Sequence, residues 1–343
     1  MIESFNPRVT PWHIDDSEFY ELESFGEQMR FLLQYAVLAP SGHNTQPWAF
    51  RVTAGGVEVF ADYSKRLLVI DPQDRELLMS VGAAITNFRV AAAHFGFETT
   101  VLYEERPEES LSVATVAVRE TSSPDAGLTQ LFSAIRQRHT NRQPFERRMI
   151  KPETLSTILD VMDEYPNLLH LVIPREKLRA IDLIAAGDRK QMAGEAFRGE
   201  LADWICSDEG ASQGIPASSL GIPALVSPSA SWAIRRFDLG AITAPRSRTL
   251  AVTAQLLIVL ASENDRISLL RAGELLERLL LTLTLAGLDY SFLNQPIEVL
   301  ELRDQLQSLV GSDCPPQLLI RIGHATVAAE ATPRRPLEAV LVT

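Results

Sequence analysis

The sequence predicts an α+β protein built from two tandem halves. A helix, a strand, a long apolar helix that ends at a glycine and a further strand occur in the same order in both halves of the chain. Residues 121–127, between the halves, are rich in Ser, Pro, Asp and Gly, a composition typical of linkers. Such a repeat indicates duplication of one fold, although two unrelated amphipathic helices would produce part of the same pattern. With 343 residues, 46% of them hydrophobic, the chain can bury a large core.

The first half, predicted to cover residues 1–120, has the pattern of two helices and four strands. Apolar residues recur at helical spacing in the helices, and β-branched and aromatic residues dominate the strands. Pro40 follows the first helix and Gly96 follows the second, as helix-ending residues do. The predicted helices are 17–38 and 75–95, and the predicted strands are 48–53, 57–61, 98–103 and 111–118.

The second half, predicted to cover residues 128–343, has more helices and one long irregular segment. Residues 207–247 are rich in Gly, Pro and Ser, yet they contain Trp232 and Phe237. Because this segment is too long and too apolar for a simple connector, we predict a packed lid. The predicted helices are 128–138, 152–163, 175–186, 194–206, 267–286 and 300–310, and the predicted extended segments are 168–173, 251–260, 290–295 and 317–322.

Charge and composition narrow the class of partner. The net charge of -12 argues against nucleic acid and against anionic membrane surfaces, and no apolar stretch is long enough to span a bilayer. Two widely separated cysteines, Cys206 and Cys314, are typical of a reducing compartment. The six histidines have no metal-ligand spacing. We therefore expect a cytoplasmic protein without a metal site that acts on small molecules.

The clearest motif is the run from Ala39 to Trp48, Ala-Pro-Ser-Gly-His-Asn-Thr-Gln-Pro-Trp. Ser41 offers a hydroxyl, Gly42 an unobstructed backbone amide and Asn44 a side-chain amide, so that one loop can donate several hydrogen bonds to phosphate or sugar oxygens. The same residue types also make ordinary turns between a helix and a strand.

A second motif, Arg138-His139-Thr140-Asn141-Arg142, places two guanidinium groups, an imidazole and a hydroxyl within five residues. Two fixed positive charges beside a hydroxyl suit a phosphate and an electron-rich ring oxygen. A positively charged helix end gives the same pattern without any ligand.

Together these motifs resemble the FMN-dependent nitroreductase family, and the chain is most similar to its tandem, Acg-like branch. In the family the Arg-x-Ser/Thr-x-Arg motif precedes the Pro-Ser-x-x-Asn loop, whereas here the order is reversed. Ordinary members are homodimers with two FMN sites at the interface. Because each half of this chain keeps the motif that the other half lacks, the resemblance implies an intramolecular pseudodimer, with a mixed sheet and flanking helices in each half and one composite FMN site.

The resemblance also implies roles for particular residues. Arg138, with Arg334 or Arg335, would hold the FMN phosphate, and Arg142 would lie at the N1–O2 edge of the ring. The 40–44 loop would bind the phosphate and ribityl side, and the segment around Leu293 and Asn294 would pass beside the ring. The complete set of expected FMN-binding residues is Pro40, Ser41, Gly42, His43, Asn44, Arg138, His139, Thr140, Arg142, Leu293, Asn294, Arg334 and Arg335.

The implied activity is reduction of nitroaromatic, quinone or related acceptors with electrons from NAD(P)H. The alternative is a protein that binds or sequesters flavin with little turnover. On this hypothesis the lid 207–247 covers the flavin with Trp232 or Phe237 close to the ring, and it excludes both substrates. The protein would be a monomeric pseudodimer or a homodimer, and no catalytic residue is assigned from the sequence.

Overall fold

Two α+β halves pack against each other in the computed structural model, which describes residues 6–105, 112–206, 210–220 and 227–342. The predicted α+β class with two halves is confirmed, since each half has its own four-stranded sheet. Within the described ranges, no helix combines the length and the apolar character needed to cross a membrane. The helices are α1 (Phe25–Ala36), α2 (Arg75–His94), α3 (Ala126–Thr129), α4 (Phe132–Ile135), α5 (Pro152–Glu164), α6 (Lys177–Ala193), α7 (Glu195–Trp204), α8 (Ser227–Arg236), α9 (Gly240–Thr253), α10 (Arg266–Leu285), α11 (Gln295–Glu298) and α12 (Leu300–Val310). The strands are β1 (Trp48–Thr53), β2 (Gly56–Ala61), β3 (Phe97–Tyr103), β4 (Ser112–Glu120), β5 (Leu169–Leu171), β6 (Ile205–Cys206), β7 (Ile215–Pro216), β8 (Leu256–Ala261), β9 (Asp289–Phe292) and β10 (Pro316–Gly323).

The sheet of the first half has the order β1-β2-β4-β3, with antiparallel neighbours. The predicted hairpin between β1 and β2 is present, and Gly56 adopts a φ of 146° at its turn. A Cβ at Gly56 would lie 2.0 Å from the carbonyl oxygen of Val116 on β4. Glycine is therefore required here both by backbone conformation and by the close approach of the next strand.

The sheet of the second half has the order β5-β8-β10-β9 and is buried on both faces. Along β8, Ile258 and Leu260 pack on the side of α5 and α10, whereas Leu257 and Val259 pack on the side of α6 and α9. This alternation follows from the two-residue period of a strand. It explains why the segment reads as a continuous apolar run rather than as alternating polar and apolar residues.

The two long helices α2 and α10 cross at a pair of glycines. A Cβ at Gly82 would lie 2.0 Å from the carbonyl oxygen of Leu270, and a Cβ at Gly273 would lie 2.0 Å from that of Met79. In each case the glycine meets the residue three positions before the glycine of the other helix. The contact is therefore reciprocal, as a pseudo-twofold axis between duplicated halves requires.

A C-terminal arm, residues 332–342, returns from the second half to the first. The backbone amide of Arg334 donates to the carbonyl of Pro7 at 2.8 Å, and that of Val342 donates to Phe50 at 2.8 Å. Leu341 forms a parallel bridge with Phe50 on β1. The arm thus adds one parallel bridge to the antiparallel sheet of the first half. Every strand pair in the four-stranded sheet of the second half is antiparallel, so the mixed sheet predicted there is not found among the described residues. The arm also ties the two halves together beside the 40–44 loop.

Several segments differ from the sequence prediction. The predicted helix 17–38 begins only at Phe25, where Ser24 caps it, and a separate 3-10 helix covers Asp16–Glu21. The predicted helix 128–138 is broken into α3 and α4, in a stretch that contains the weak helix formers Gly127 and Thr129. α9 continues to Thr253, so the predicted strand 251–260 begins only at Leu256; a short apolar run has the same signature in a buried helix and in a buried strand. The extended piece 290–295 ends at Phe292, and α11 follows it. Residue 111 of the predicted strand 111–118, and residues 207–209 and 221–226 of the predicted lid, lie outside the described residues.

Candidate functional site

A cavity lies where the 40–44 loop, the start of α2 and the second half meet. Its empty volume is about 1330 Å³, a figure that includes the open solvent at its mouth. Ten of the thirteen residues expected at the flavin site line it. They are Pro40, Ser41, Gly42, His43, Asn44, Arg138, Thr140, Arg142, Asn294 and Arg334.

The 40–44 loop has an unusual backbone. His43, Asn44 and Gln46 adopt φ values of 50°, 56° and 52°, in the left-handed region that non-glycine residues avoid. The amide of Gln46 donates to Oγ of Ser41 at 2.9 Å, which closes the loop on itself. Strained conformations of this kind persist only where surrounding contacts impose them, and they concentrate at functional sites.

Asn44 supplies such contacts. Its Nδ2 donates to the carbonyl oxygens of Gly214, at 3.1 Å, and Pro333, at 3.0 Å. Its Oδ1 accepts from Nη1 of Arg334 at 3.0 Å. All three partners belong to the second half, so this side chain holds the loop of one half against the other.

Arg138 is almost wholly engaged with the protein. Its Nε lies 3.2 Å from Oε1 of Glu277, and both side chains are buried. Its Nη1 donates to the hydroxyl of Tyr290 at 3.0 Å, and its Nη2 donates to the carbonyl of Leu38 at 2.9 Å. Burial raises the pKa of Glu277 to about 7, although the neighbouring guanidinium of Arg138 opposes that shift.

Arg334 acts in the same way from the C-terminal arm. Its Nη2 donates to the carbonyls of Leu38, at 2.9 Å, and Ala39, at 3.1 Å, and its guanidinium lies 4.9 Å from the ring centre of Trp12. Burial lowers the pKa of Arg334 to about 9, so the group stays charged at neutral pH. Arg138 and Arg334 therefore share the carbonyl of Leu38 and fix the start of the loop.

Arg142 differs from these two arginines at its terminal nitrogens. Both terminal nitrogens of Arg138 and of Arg334 donate to the protein, whereas Nη1 of Arg142 is buried and has no hydrogen-bond partner among the described residues. Burial lowers its pKa to about 10, which still leaves it protonated at neutral pH. Nε2 of His43 is likewise buried without a partner, and burial, with Arg142 nearby, lowers the pKa of His43 to about 4. A cation and a neutral imidazole thus line the cavity with unused hydrogen-bonding atoms, which suits an anionic or polar ligand.

The other three expected residues do not line this cavity. The ring of His139 packs on Trp12, with ring centres 4.6 Å apart, and Leu293 is buried in the core against β8 and β10. Arg335 donates from its Nη2 to the carbonyl of Ala339 at 2.7 Å and from its backbone amide to Oε1 of Gln46 at 2.8 Å. These contacts support the 40–44 loop and the C-terminal arm from outside the cavity.

The predicted lid meets the cavity through residues other than the expected ones. Trp232 and Phe237 are 63% and 50% exposed, and their rings pack on each other; neither lines the cavity. The reason is that α8 turns Ala230 and Ile234 toward α7 and leaves its aromatic residues outside. Of the described residues of the predicted lid, Ile215 on β7 is the one that lines the cavity; Phe197 and Leu201, which also line it, lie on α7 before the lid.

Sequence reasoning missed three acidic residues of the cavity: Glu76, Asp188 and Glu298. They come from α2, α6 and α11, and no short motif links them. The one available signal was a carboxylate inside an otherwise apolar helix, since Glu76 is followed by Leu77, Leu78 and other buried residues. The sequence instead favoured reading residues 71–76 as a helix start.

Comparisons with known proteins identify the family of this chain. The "Putative NAD(P)H nitroreductase Rv3131" of Mycobacterium tuberculosis is 31% identical over 324 residues, which cover 92% of this chain and 91% of that protein. The "Putative NAD(P)H nitroreductase acg" of the same organism is 32% identical over 323 residues, with 90% and 93% covered. A solved structure of a putative nitroreductase from Anabaena variabilis is similar at 11% identity and a TM-score of 0.46, with 91% of each chain covered. No family model matches the chain. On the strength of the two mycobacterial relatives, which are similar over nearly their whole length, the chain belongs to the nitroreductase family.

Proposed function

We propose that this chain is an FMN-dependent oxidoreductase that takes electrons from NAD(P)H and passes them to a small-molecule acceptor such as a nitroaromatic or a quinone. The observation that carries the proposal is the composite cavity, in which Arg142 and His43 keep buried, unused hydrogen-bonding atoms. Arg142 comes from one half and His43 from the other, so both halves are needed to present them. The names of the mycobacterial relatives point in the same direction.

The residues present fit FMN. A phosphate needs fixed positive charge and donors, and Arg142, Arg138 and Arg334 all line the cavity together with the hydroxyls of Ser41 and Thr140. Because Arg138 and Arg334 already donate to the protein, we assign them chiefly to positioning the loop, while Arg142 retains a free donor. Asn294 would lie beside the ring.

When bound, FMN accepts a hydride from the nicotinamide and passes electrons on in a ping-pong cycle. The side chains of this protein orient the two reactants and set the local charge. Arg142, fixed and protonated, would stabilise negative charge on the cofactor. Phe197 and Leu201 would exclude water from that side of the cavity.

Anaerobic mixing tests this proposal. The FMN-loaded protein is mixed with NADH or NADPH without oxygen, and the visible absorbance of the flavin is followed. We expect the flavin absorbance to bleach on mixing and to return when a quinone or a nitroaromatic is added. Retention of stoichiometric FMN that neither donor bleaches would refute the enzyme proposal.

If neither donor bleaches the bound flavin, the result would favour the alternative function, flavin sequestration. One observation supports this alternative. Residues 212–214 of the lid are tied to the 40–44 loop region: Nε2 of Gln46 donates to the carbonyl of Ser212 at 2.8 Å, and the amide of Gly214 donates to Asn44 at 3.2 Å. Glu200 on α7 also accepts from the amides of Val69 and Ile70, each at 2.9 Å. These contacts would keep the lid over the flavin. A rate of bleaching that rises when Glu200 is replaced by Gln would support this second candidate.

We further propose that the halves divide at residues 121–127 and that one chain suffices for one site. The cavity draws on both halves of a single chain, so neither a homodimer nor a monomer is required by the site itself.

A further inference from the structure

The same cavity has an acidic wall, formed by Glu76, Asp188 and Glu298. The charge of Arg75 offsets the wall only in part, because burial raises the pKa of Glu76 and of Glu298 more than Arg75 lowers them. The direct contacts of the guanidinium go elsewhere: its Nε lies 3.8 Å from Asp71, and its Nη1 donates to Gln317 at 3.0 Å. The acidic wall thus concentrates buried carboxyl groups at one part of a cavity that is basic at Arg142. Buried carboxylates without counter-charges are costly and take up either a proton or a cation.

Neutral amides hold the acidic wall in place. Each carboxyl group accepts from one side-chain amide: Glu76 from Asn294 at 3.1 Å, Asp188 from Gln295 at 3.4 Å, and Glu298 from Gln191. Amides orient a carboxyl group but do not cancel its charge. The amides therefore fix the carboxyl groups in place, and each group that is ionised keeps its negative charge for a ligand.

Two acceptor atoms of this region remain unused. Oδ2 of Asp188 and Oε1 of Gln295 are buried and lack hydrogen-bond partners among the described residues, and Asp188 is only 5% exposed. Both residues line the cavity. Unused acceptors beside partly compensated carboxyl groups call for a ligand that brings N–H donors or positive charge. Within the described ranges, no group of three or more His, Cys, Asp or Glu side chains is placed to hold a metal ion.

Hydride donation creates such a ligand. The C4–H bond of a dihydronicotinamide breaks, its electron pair leaves with the hydrogen to form an N–H bond on the flavin, and the ring becomes a pyridinium with one positive charge. The carboxamide of the ring carries two N–H donors. We propose that the acidic wall is the subsite for this pyridinium ring, with its carboxamide facing Asp188 and Gln295. This inference rests on the proposed function and names the donor side of that site.

The consequence for rate follows from where charge develops. Negative groups placed beforehand near a ring that becomes positive stabilise the transition state more than the neutral ground state. Replacing Glu298 or Asp188 with its amide should therefore slow reduction of the flavin about ten-fold while changing the affinity for NAD(P)H little.

A pair of probes that differ only in charge tests the subsite without turnover. The FMN-loaded protein is titrated by calorimetry with 1-methylnicotinamide, a pyridinium cation, and with nicotinamide, its neutral counterpart. At pH 8 we expect the cation to bind at least ten-fold more tightly. We expect that preference to fall several-fold in Glu298→Gln and in Asp188→Asn, and to persist in Glu153→Gln, whose carboxyl group is exposed on α5.

The preference should also depend on pH. Burial raises the pKa of Glu298 to about 7 and that of Glu76 well above its ordinary range. Below pH 7 a cation must displace a proton, so its affinity should fall as pH decreases from 8 to 6, whereas the affinity for nicotinamide should stay flat. The charged groups that face Glu298 are Asp71, in the loop before α2, Arg75 and Glu76 on α2, and Asp188 on α6. His43, with a pKa of about 4, stays neutral over this range.

Equal affinity of the wild-type protein for the two probes would overturn the proposal, as would a full preference for the cation in both amide variants. Retained FMN and unchanged circular dichroism in each variant show that it is folded. This test can fail independently of the proposed function. Bleaching by NAD(P)H without a preference for the cation would refute the subsite alone. A preference for the cation without bleaching would refute the enzyme proposal and leave the cation subsite supported.

Discussion

Gly273→Ala should be among the most destabilising single substitutions in this protein. The added Cβ would lie 2.0 Å from the carbonyl oxygen of Met79 and 2.6 Å from its carbonyl carbon. Both are backbone atoms of α2, so no side chain can move aside and the two long helices must separate. Alanine gains ~1 kcal/mol over glycine inside a helix, but overpacking against a rigid neighbour costs ~3 kcal/mol or more, and the steric cost decides the sign.

Gly82→Ala should behave alike, because its Cβ would meet the carbonyl of Leu270 at 2.0 Å. Gly26→Ala is the matched control, since that glycine also lies in a helix but a Cβ there meets nothing within 4 Å. We expect the control to be neutral or slightly stabilising. Urea denaturation measures all three. A Gly273→Ala protein as stable as the control would show that the crossing of α2 and α10 is not this close.

Arg138→Ala should lower both stability and flavin affinity. It removes the partner of a buried carboxylate, since Nε of Arg138 lies 3.2 Å from Glu277, and breaking such a pair costs ~3–5 kcal/mol. Without Arg138 the pKa of Glu277 should rise further above its ordinary value, because burial already raises it to about 7. Below pH 7 this carboxyl group is protonated in both folded proteins. The stability loss caused by the substitution should therefore grow as pH rises through about 7, where Glu277 ionises in the wild-type protein but keeps its proton in the variant.

Arg142→Ala separates binding from stability. Its Nη1 has no partner among the described residues, so removal breaks no hydrogen bond at that atom. It should cost a charge-assisted contact to the cofactor of ~1.5–3 kcal/mol, ten-fold or more in FMN affinity. Glu146→Ala, at an exposed position outside the motif, is the control. FMN titration and thermal unfolding of the three variants give both quantities. Full FMN affinity in Arg142→Ala would remove this residue from the site.

Much of this architecture could be predicted from local patterns. Pro40 and Gly96 ended helices where expected, and the Gly55-Gly56 pair joined two strands. The reversed order of the two motifs correctly pointed to a cavity shared between halves, because loop and arginine motif line it together. These features depend on residues close in sequence, whose backbone preferences act wherever the chain folds.

What escaped prediction depends on contacts between distant segments. That Arg138 is occupied by Glu277 and Tyr290, while Arg142 is not, follows from the docking of α10 and β9. The acidic wall joins Glu76 with Asp188 and Glu298 only after three helices have packed. Trp232 and Phe237 were expected at the flavin because they are aromatic, but which face of α8 turns inward is decided by α7. The type of a residue in the sequence does not show which distant residue it will contact in the folded protein.

The central claim is that one chain builds one composite flavin site, and counting flavin tests it most directly. The protein is saturated with FMN, freed of excess, denatured, and the released flavin is measured against protein concentration. Because Arg142 and the 40–44 loop occur once each, in opposite halves, we expect one FMN per chain, whether the protein is a monomer or a dimer. Two FMN per chain, or one FMN per two chains, would contradict the account.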